Sequence, residues 1–518
     1  MIKDKKGLIA PIFVFLLTLL THGINLWGFP KFLGDEGTYT SQAWWLARFG
    51  KLAPYTYWYD HSPFGWIQIG LWQRLTGGPF AFGFSLFSTR IFMVLVAAVC
   101  NLTLFYLIKE IAKSERLALV GSLLFALFPI NILYHRQVLL DNLEVLWLLP
   151  AFLFLFKAKD RLKYIWWSAV FFGLSFLSKE TAIVFLPVFI YGVFLLLPKA
   201  NRKQGTVLWL ITSFFLISLF PLLSVLKGEF LPASITGGEH VSFLETVLFQ
   251  MTRGSTLKAW ELGSYFQTAL SYWFSFDPLF LGILVWSFLV CLFFLKQKEL
   301  RLLWLGGILY FLFLARGGLV LDFYLIPLLP FVAILFSLAV GNVVRELKIL
   351  KKLSRVVGVG AIGGVVGMVI YSWPVYSLDL TSNQLAAVDF IKNNLEPESV
   401  LVVDDYAFMD LRLSRWKADQ AFPKTEWYSK VENDPEIKDK KLVGDWQNID
   451  YFMVDDYVKG EMSQGFFPFL AQAFANGQKI KEFLVEEDMK EEWDWLEMNL
   501  EILKVSPRSG FGIYKKGL

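Results

Sequence analysis

Apolar and polar positions along this chain alternate on the scale of whole helices. Runs that approach the roughly 20 residues needed to cross a bilayer as a helix fall near 8–28, 85–108, 117–134, 138–156, 165–178, 181–198, 206–226, 274–295, 302–315, 320–340 and 356–374. The pattern thus predicts about eleven spans. Between them lie short basic loops: Lys109/Lys113/Arg116, Lys157/Lys159/Arg161/Lys163, Lys199/Arg202/Lys203, Lys296/Lys298/Arg301 and Arg345/Lys348/Lys351/Lys352/Arg355. Because cytoplasmic loops hold the excess of Lys and Arg, all five fall on the cytoplasmic side if the N terminus is cytoplasmic. Three longer segments then face the other way: a loop over about 29–84, another over about 227–273, and the tail after about 375. Lys3, Lys5 and Lys6 precede the first apolar run as in a signal peptide, but no small-residue cleavage site follows, so that run is read as a retained helix.

Composition narrows the class. Over 518 residues, 55% hydrophobic and 17% aromatic content exceeds what a soluble chain carries, which makes this a polytopic α-helical membrane protein, multi-pass in a cell membrane. A net charge of +4 spread over short loops excludes a nucleic-acid surface. Cys100 and Cys291 both lie in apolar runs, so neither a disulfide framework nor a thiolate metal site can be built from them.

After about residue 375 charges rise and apolar runs shorten, which divides the chain into a membrane domain over 1–375 and a soluble C-terminal α/β domain over 376–518. Ser399–Val403 and Tyr451–Val454 read as buried strands, Gln384–Leu395 and Phe467–Ala475 as helices. No glycine-rich phosphate loop, metal-ligand spacing or nucleophile elbow marks this tail. Asp404-Asp405 and Asp455-Asp456 follow the two strands and are expected to be solvated strand ends, with ligand binding there as the alternative reading.

Candidate chemistry gathers at turns on the non-cytoplasmic side. Asp35-Glu36 follow the first span, Asp60-His61 lie in the first loop, and Arg136 and Asp141 flank a tight turn. Lys179-Glu180 separate the fifth and sixth spans, and Arg316 and Asp322 the ninth and tenth. Ionisable groups at membrane depth line polar cavities or pair with each other. Plainer readings stand beside the functional one: a helix N-terminal acid pair for Asp35-Glu36, a structural ion pair for Arg136 and Asp141, a pair sealing a short hairpin for Lys179-Glu180. Ser41–Gly50, with Trp44 and Trp45, suits either an interfacial helix framing a lipid entrance or a plain aromatic belt. The glycine-rich stretch Gly237-Gly238-Glu239-His240 and Arg253-Gly254 reads as a lid or acceptor-binding segment.

In order along the chain, these motifs resemble those of the GT-C fold polyprenyl-phosphate-dependent glycosyltransferases, specifically family 39 with its protein O-mannosyltransferase-like and aminoarabinose-transferring members. The matching elements are Gly34-Asp35-Glu36, His61-Ser62-Pro63-Phe64-Gly65, Arg136 with Asp141, Gly173-Leu174-x-x-x-x-Lys179-Glu180, and Asp322-Phe323-Tyr324-Leu325-Ile326-Pro327-Leu328-Leu329-Pro330. The likeness covers roughly residues 8 to 375. His61 stands where the family has Lys in many members, and Ser62 replaces a proline.

The resemblance implies transfer of a sugar from a polyprenyl-phosphate donor to a lipid, protein or glycan acceptor, with inversion, on the non-cytoplasmic side. Such chemistry needs a base for the acceptor proton and cations for the departing phosphate. Asp35 is the expected base, with Glu36 beside it; Arg136, Lys179, Arg316 and His61 are the expected phosphate ligands, and Asp141, Glu180 and Tyr324 the expected substrate-binding groups. No cofactor is called for; the acids leave room for a divalent cation, which the resemblance does not require. Membrane lipids are the remaining partner. A multi-span transporter or flippase fits the buried charges too, but the sequence predicts no internal repeat and no matched pair of broken helices, and transport would not need a large non-cytoplasmic domain. A polysaccharide polymerase or ligase of the same fold would use a pyrophosphate-linked oligosaccharide, whereas the placement of Asp35-Glu36 favours a monosaccharide phosphate.

Overall fold

The computed structural model of the chain describes residues 8–53, 59–237, 240–252, 258–346, 364, 367–413, 421–463, 465–484 and 498–506. Gly238, Glu239, Arg253 and Gly254 of the expected lid, and most of the expected span at 356–374, lie outside the described residues. Packing divides the chain into two compact units. One comprises Met1–Ile24, Tyr57–Gly65 and Phe92–Val375; the other comprises Asn25–Thr56, Trp66–Ile91 and Tyr376–Leu518. The second unit resumes where the composition changes and also takes in two stretches of the first loop.

The apolar runs of the first unit are helices. Among the described residues, Ser85–Ala112, Lys199–Lys227 and Asp322–Glu346 are each long and apolar enough to cross a membrane. Two further pairs qualify together but are bent: Glu115–Leu127 with Pro129–Arg136 by 64°, and Tyr265–Phe276 with Pro278–Leu292 by 110°. Both bends precede a proline, whose ring pushes the residue before it out of the helical region. Phe128 (ψ 129°) and Asp277 (ψ 72°) show that displacement. The other expected spans are shorter helices, among them α1 (Ile9–Gly23), Leu140–Lys157, Lys163–Ser178 and Lys298–Leu314. Aromatic rings fill the core: Phe185 stacks between Tyr310 and Phe331, at centroid distances of 5.2 and 5.3 Å.

The second unit is built on a five-stranded sheet in the order β2-β1-β3-β5-β4, where β1 is Leu401–Val403, β2 Thr425–Trp427, β3 Tyr451–Asp455, β4 Gln478–Phe483 and β5 Leu500–Lys504. β1 pairs in parallel with β2 and β3, while β5 runs antiparallel to β3 and β4. The expected strands and helices are present, the helices as Ser382–Asn394 and Pro468–Asn476. β4 has exposed Lys479, Lys481 and Glu482 on an edge, charges that discourage pairing with another chain. β2, β4 and β5 are short or polar, and periodicity did not reveal them.

Two helices of the first loop join this unit: α2 (Gly34–Phe49) and most of α3 (Phe64–Thr76). α2 packs on the helix Asp405–Arg412 that follows β1. In consequence the expected solvated strand ends are not solvated. Asp404, Asp405 and Asp455 are 6, 8 and 1% exposed, and only Asp456 faces water. For Asp404 and Asp405 the cover comes from α2, more than 350 positions earlier, which a local reading of the strand cannot see.

Candidate active site

Asp35 and Glu36 occupy the first turn of α2, where the positive end of the helix dipole favours acids. Their surroundings differ sharply. Glu36 is fully buried and grips Arg90 with both oxygens: Nε donates to Oε2 at 2.9 Å and Nη2 to Oε1 at 2.6 Å. Glu36 Oε1 also accepts from the Leu33 amide at 3.2 Å, completing the cap of the helix. Arg90 is itself held by the carbonyls of Pro30 and Lys31, at 2.8 and 3.0 Å, and lies 4.6 Å over the Phe32 ring. Arg90 was not among the expected residues, although a lone arginine inside an apolar run is a signal worth following. Asp35 is only half-buried.

Around Asp35 the second unit gathers further acids. Thr38 Oγ1 donates to Asp405 Oδ2 at 2.6 Å. Burial pushes the Asp405 carboxyl up to about 7; the Thr38 hydrogen bond and the Lys430 charge oppose this, and the Asp35 charge adds to it. Asp404 is raised well above the usual range by burial and by the charges of Asp455, Asp405 and Asp35. Asp455 is also raised, chiefly by burial, against the pull of the Val458 amide at 2.7 Å and the Lys31 charge. Asp405 Oδ1 and Asp455 Oδ2 have no hydrogen-bond partner among the described residues.

In the first unit, Lys179 ends the helix Lys163–Ser178 in an extended conformation. Its Nζ donates to Asp141 Oδ2 at 2.6 Å with both side chains buried, and lies 4.4 Å over the Tyr324 ring. Lys179, Asp141 and Tyr324 are therefore neighbours. Glu144, one turn after Asp141, completes the group: it accepts from Thr181 Oγ1 while its Oε1 has no partner among the described residues. Glu144 escaped the sequence reading, although the i, i+3 spacing places it on the face of Asp141.

His61 and Glu180 form a second pair at 3.1 Å, and the Ser62 amide donates to the other Glu180 oxygen. Burial lowers the His61 pKa, but the Glu180 hydrogen bond and charge outweigh it, so the imidazole titrates above its usual value. Arg316 is exposed after the helix Lys298–Leu314, donating to the carbonyls of Phe313 and Leu319 at 2.8 and 3.2 Å.

Arg136 is fully buried and donates to the carbonyls of His22, Thr21, Val375 and Ile24. This is the role of a fastener at the end of α1, and it differs from the expected phosphate ligand: a guanidinium occupied by carbonyls in the interior is not an open cation. Asp141 pairs with Lys179 and Glu180 with His61, so pairs read from neighbouring positions give way to pairs between different turns. Among the described residues no group of three or more His, Cys, Asp or Glu could hold a metal ion.

The fold is that of the GT-C glycosyltransferases. The profile of the dolichyl-phosphate-mannose-protein mannosyltransferase family matches residues 71–225, a stretch that includes Arg90, Asp141, Glu144, Lys179 and Glu180. Among solved structures, the oligosaccharyltransferase of Archaeoglobus fulgidus in its apo form superposes with a TM-score of 0.58 at 13% identity, covering 92% of this chain and 73% of that one. ArnT from Cupriavidus metallidurans, solved with undecaprenyl phosphate bound, gives a TM-score of 0.53 at 14% identity over 95% of this chain and 97% of its own. A comparison with curated protein sequences finds no match.

Proposed function

We propose that this protein is a membrane glycosyltransferase that moves a sugar from a polyprenyl-phosphate donor to an acceptor hydroxyl, with Asp35 as general base. The observation that carries this reading is the contrast within one helical turn: Glu36 is locked by Arg90, while Asp35 is half-buried next to Asp404 and Asp405, whose carboxyls its charge helps to push up. Asp35 takes the acceptor proton as the acceptor oxygen attacks the anomeric carbon. The bond from that carbon to the phosphate oxygen breaks, and the configuration inverts. Lys179 and Arg316, with His61, neutralise the charge on the departing phosphate. Asp141 holds Lys179 in place and Glu180 holds His61, and Tyr324 presents its ring to Lys179.

The same proposal places about eleven spans in residues 1–375 with the N terminus cytoplasmic, and residues 376–518 in water on the non-cytoplasmic side. The family profile and the lipid-phosphate-bound neighbour support the donor class; the acceptor is a lipid, protein or glycan.

The test is transfer from radiolabelled polyprenyl-phosphate hexoses by the purified protein in detergent with membrane extract, wild type against Asp35→Asn. Transfer that vanishes in the variant while its melting curve is unchanged supports the reading. Transfer unaffected by the variant removes Asp35 as base, and no transfer with any donor, together with measurable lipid translocation, would overturn the enzyme reading.

A further inference from the structure

α2 and α3 approach each other closely at Gly70, where an added Cβ would lie 2.7 Å from the Ala43 carbonyl oxygen. Beyond that crossing their C-terminal ends enclose a polar cleft of about 320 Å³, lined by Trp44, Arg48, Gln73, Arg74, Gly77 and Gly78. Both arginines sit in the last turn of their helices and are exposed. Each helix end carries roughly half a negative charge, and a single arginine there is ordinarily a complement to the dipole. Two guanidinium charges against two half-charges leave about one net positive charge facing the cleft.

Two further features point to an occupant. Gln73 is fully buried; its Nε2 donates to the Thr40 carbonyl at 3.2 Å, but its Oε1 has no hydrogen-bond partner among the described residues. An acceptor lining a cationic cleft suits a ligand that brings a hydroxyl donor next to a phosphate. On α3, Ile67, Leu71 and Leu75 recur every fourth position and are 49, 58 and 75% exposed. That stripe is apolar on the outside while Trp66, Ile69 and Gln73 are buried on the inside, the inverse of a helix facing water. Phe49 and Phe82 extend the exposed apolar surface of the unit.

We propose that this cleft is a binding site for the phosphate of an anionic, hydroxyl-bearing glycerophospholipid of the surrounding bilayer, with α3 laying its Ile67-Leu71-Leu75 stripe against the acyl chains. Arg48 and Arg74 take the phosphate, the Gln73 amide oxygen accepts from the headgroup hydroxyl, and Trp44 forms the wall at the interface, a position suited to its ring. The site stands apart from the transfer reaction and does not depend on it.

The experiment is native mass spectrometry of the full-length protein in non-ionic detergent, titrated with phosphatidylglycerol, phosphatidylcholine, a polyprenyl phosphate or inorganic phosphate. Arg48→Ala/Arg74→Ala and Arg48→Lys/Arg74→Lys serve as variants; both positions are exposed, so neither substitution threatens the fold. Phosphatidylglycerol is expected to bind in preference to phosphatidylcholine, to weaken by about thirty-fold in the alanine variant, and to be largely kept in the lysine variant, since each basic residue near an anionic surface contributes about a 1 kcal/mol attraction. Equal retention of the two lipids, or alanine substitution without effect, overturns the site. Displacement by inorganic phosphate at equal concentration, or by a polyprenyl phosphate in preference to phosphatidylglycerol, overturns its assignment to bilayer lipid.

Discussion

Thr38 and Asp405 are joined by a 2.6 Å hydrogen bond that ties the helix bearing Asp35 to the helix that follows β1. The contact is tight on both sides: a Cβ added to Gly37 would lie 2.0 Å from the Asp405 carbonyl oxygen. No side chain fits there, so a glycine is required next to Thr38 for this approach.

The first prediction concerns pH. Asp405 titrates at about 7 in the fold, against roughly 3.9 in an unfolded chain. The folded state therefore holds this proton more tightly, and the associated stability is full below pH ~4 and lost as pH rises through about 7. Asp404 and Asp455 are raised too and act in the same direction. The melting temperature of the protein in detergent is expected to fall between pH 5 and 8, with a smaller fall in Asp405→Asn, which keeps an oxygen for Thr38. A variant with the wild-type slope would show that another group controls it.

Glu36 and Asp35 should separate stability from activity. Glu36→Ala leaves the fully buried Arg90 without its counter-charge, a change that costs about 3–5 kcal/mol for buried pairs. Removing both charges, as in Glu36→Leu/Arg90→Leu, is expected to recover much of that loss, because no buried charge is then unpaired. Asp35→Asn should leave denaturant unfolding nearly unchanged and abolish sugar transfer. Equal destabilisation by Asp35→Asn and Glu36→Ala would remove the distinction drawn between them.

How much of this was legible in the sequence depends on the range of the interactions. Helix positions such as Ser85–Ala112 and Arg202–Lys227 follow from long apolar runs, and β1 and β3 from short β-branched ones. Pairings were not legible. Lys179 has Glu180 as its chain neighbour, yet its partner is Asp141, because an extended backbone at Lys179 sends adjacent side chains in different directions. Arg136 looked like an open cation because nothing in its vicinity shows that four backbone carbonyls converge on it. Asp404 and Asp405 looked solvated because α2, which packs on the helix after β1, lies in the first loop.

Arg136 offers a third test. Substitution by Lys retains the charge but replaces a planar five-donor group with one that has three donors. Carbonyls of Thr21, His22, Ile24 and Val375 then compete for too few hydrogens, and each buried acceptor left unpaired costs about 1–3 kcal/mol. Arg136→Lys is expected to lower the melting temperature while leaving KM for the lipid-phosphate donor unchanged in the protein that remains folded. A selective rise in donor KM without loss of stability would return Arg136 to phosphate binding.

Lys179 should behave in the opposite way with respect to donor. Its ammonium is buried against Asp141 and over the Tyr324 ring, so Lys179→Met leaves Asp141 without its cation and lowers stability. Lys179→Met/Asp141→Asn removes that unpaired charge and is expected to regain most of the stability. If Lys179 served the fold alone, activity would return with it. If it neutralises the departing phosphate, the double variant stays inactive, with a transfer rate lowered by about a hundredfold or more, the scale set by loss of one group that stabilises developing charge. Measuring melting temperature and transfer rate on the same preparations decides between these outcomes, since recovery of both would assign Lys179 to structure.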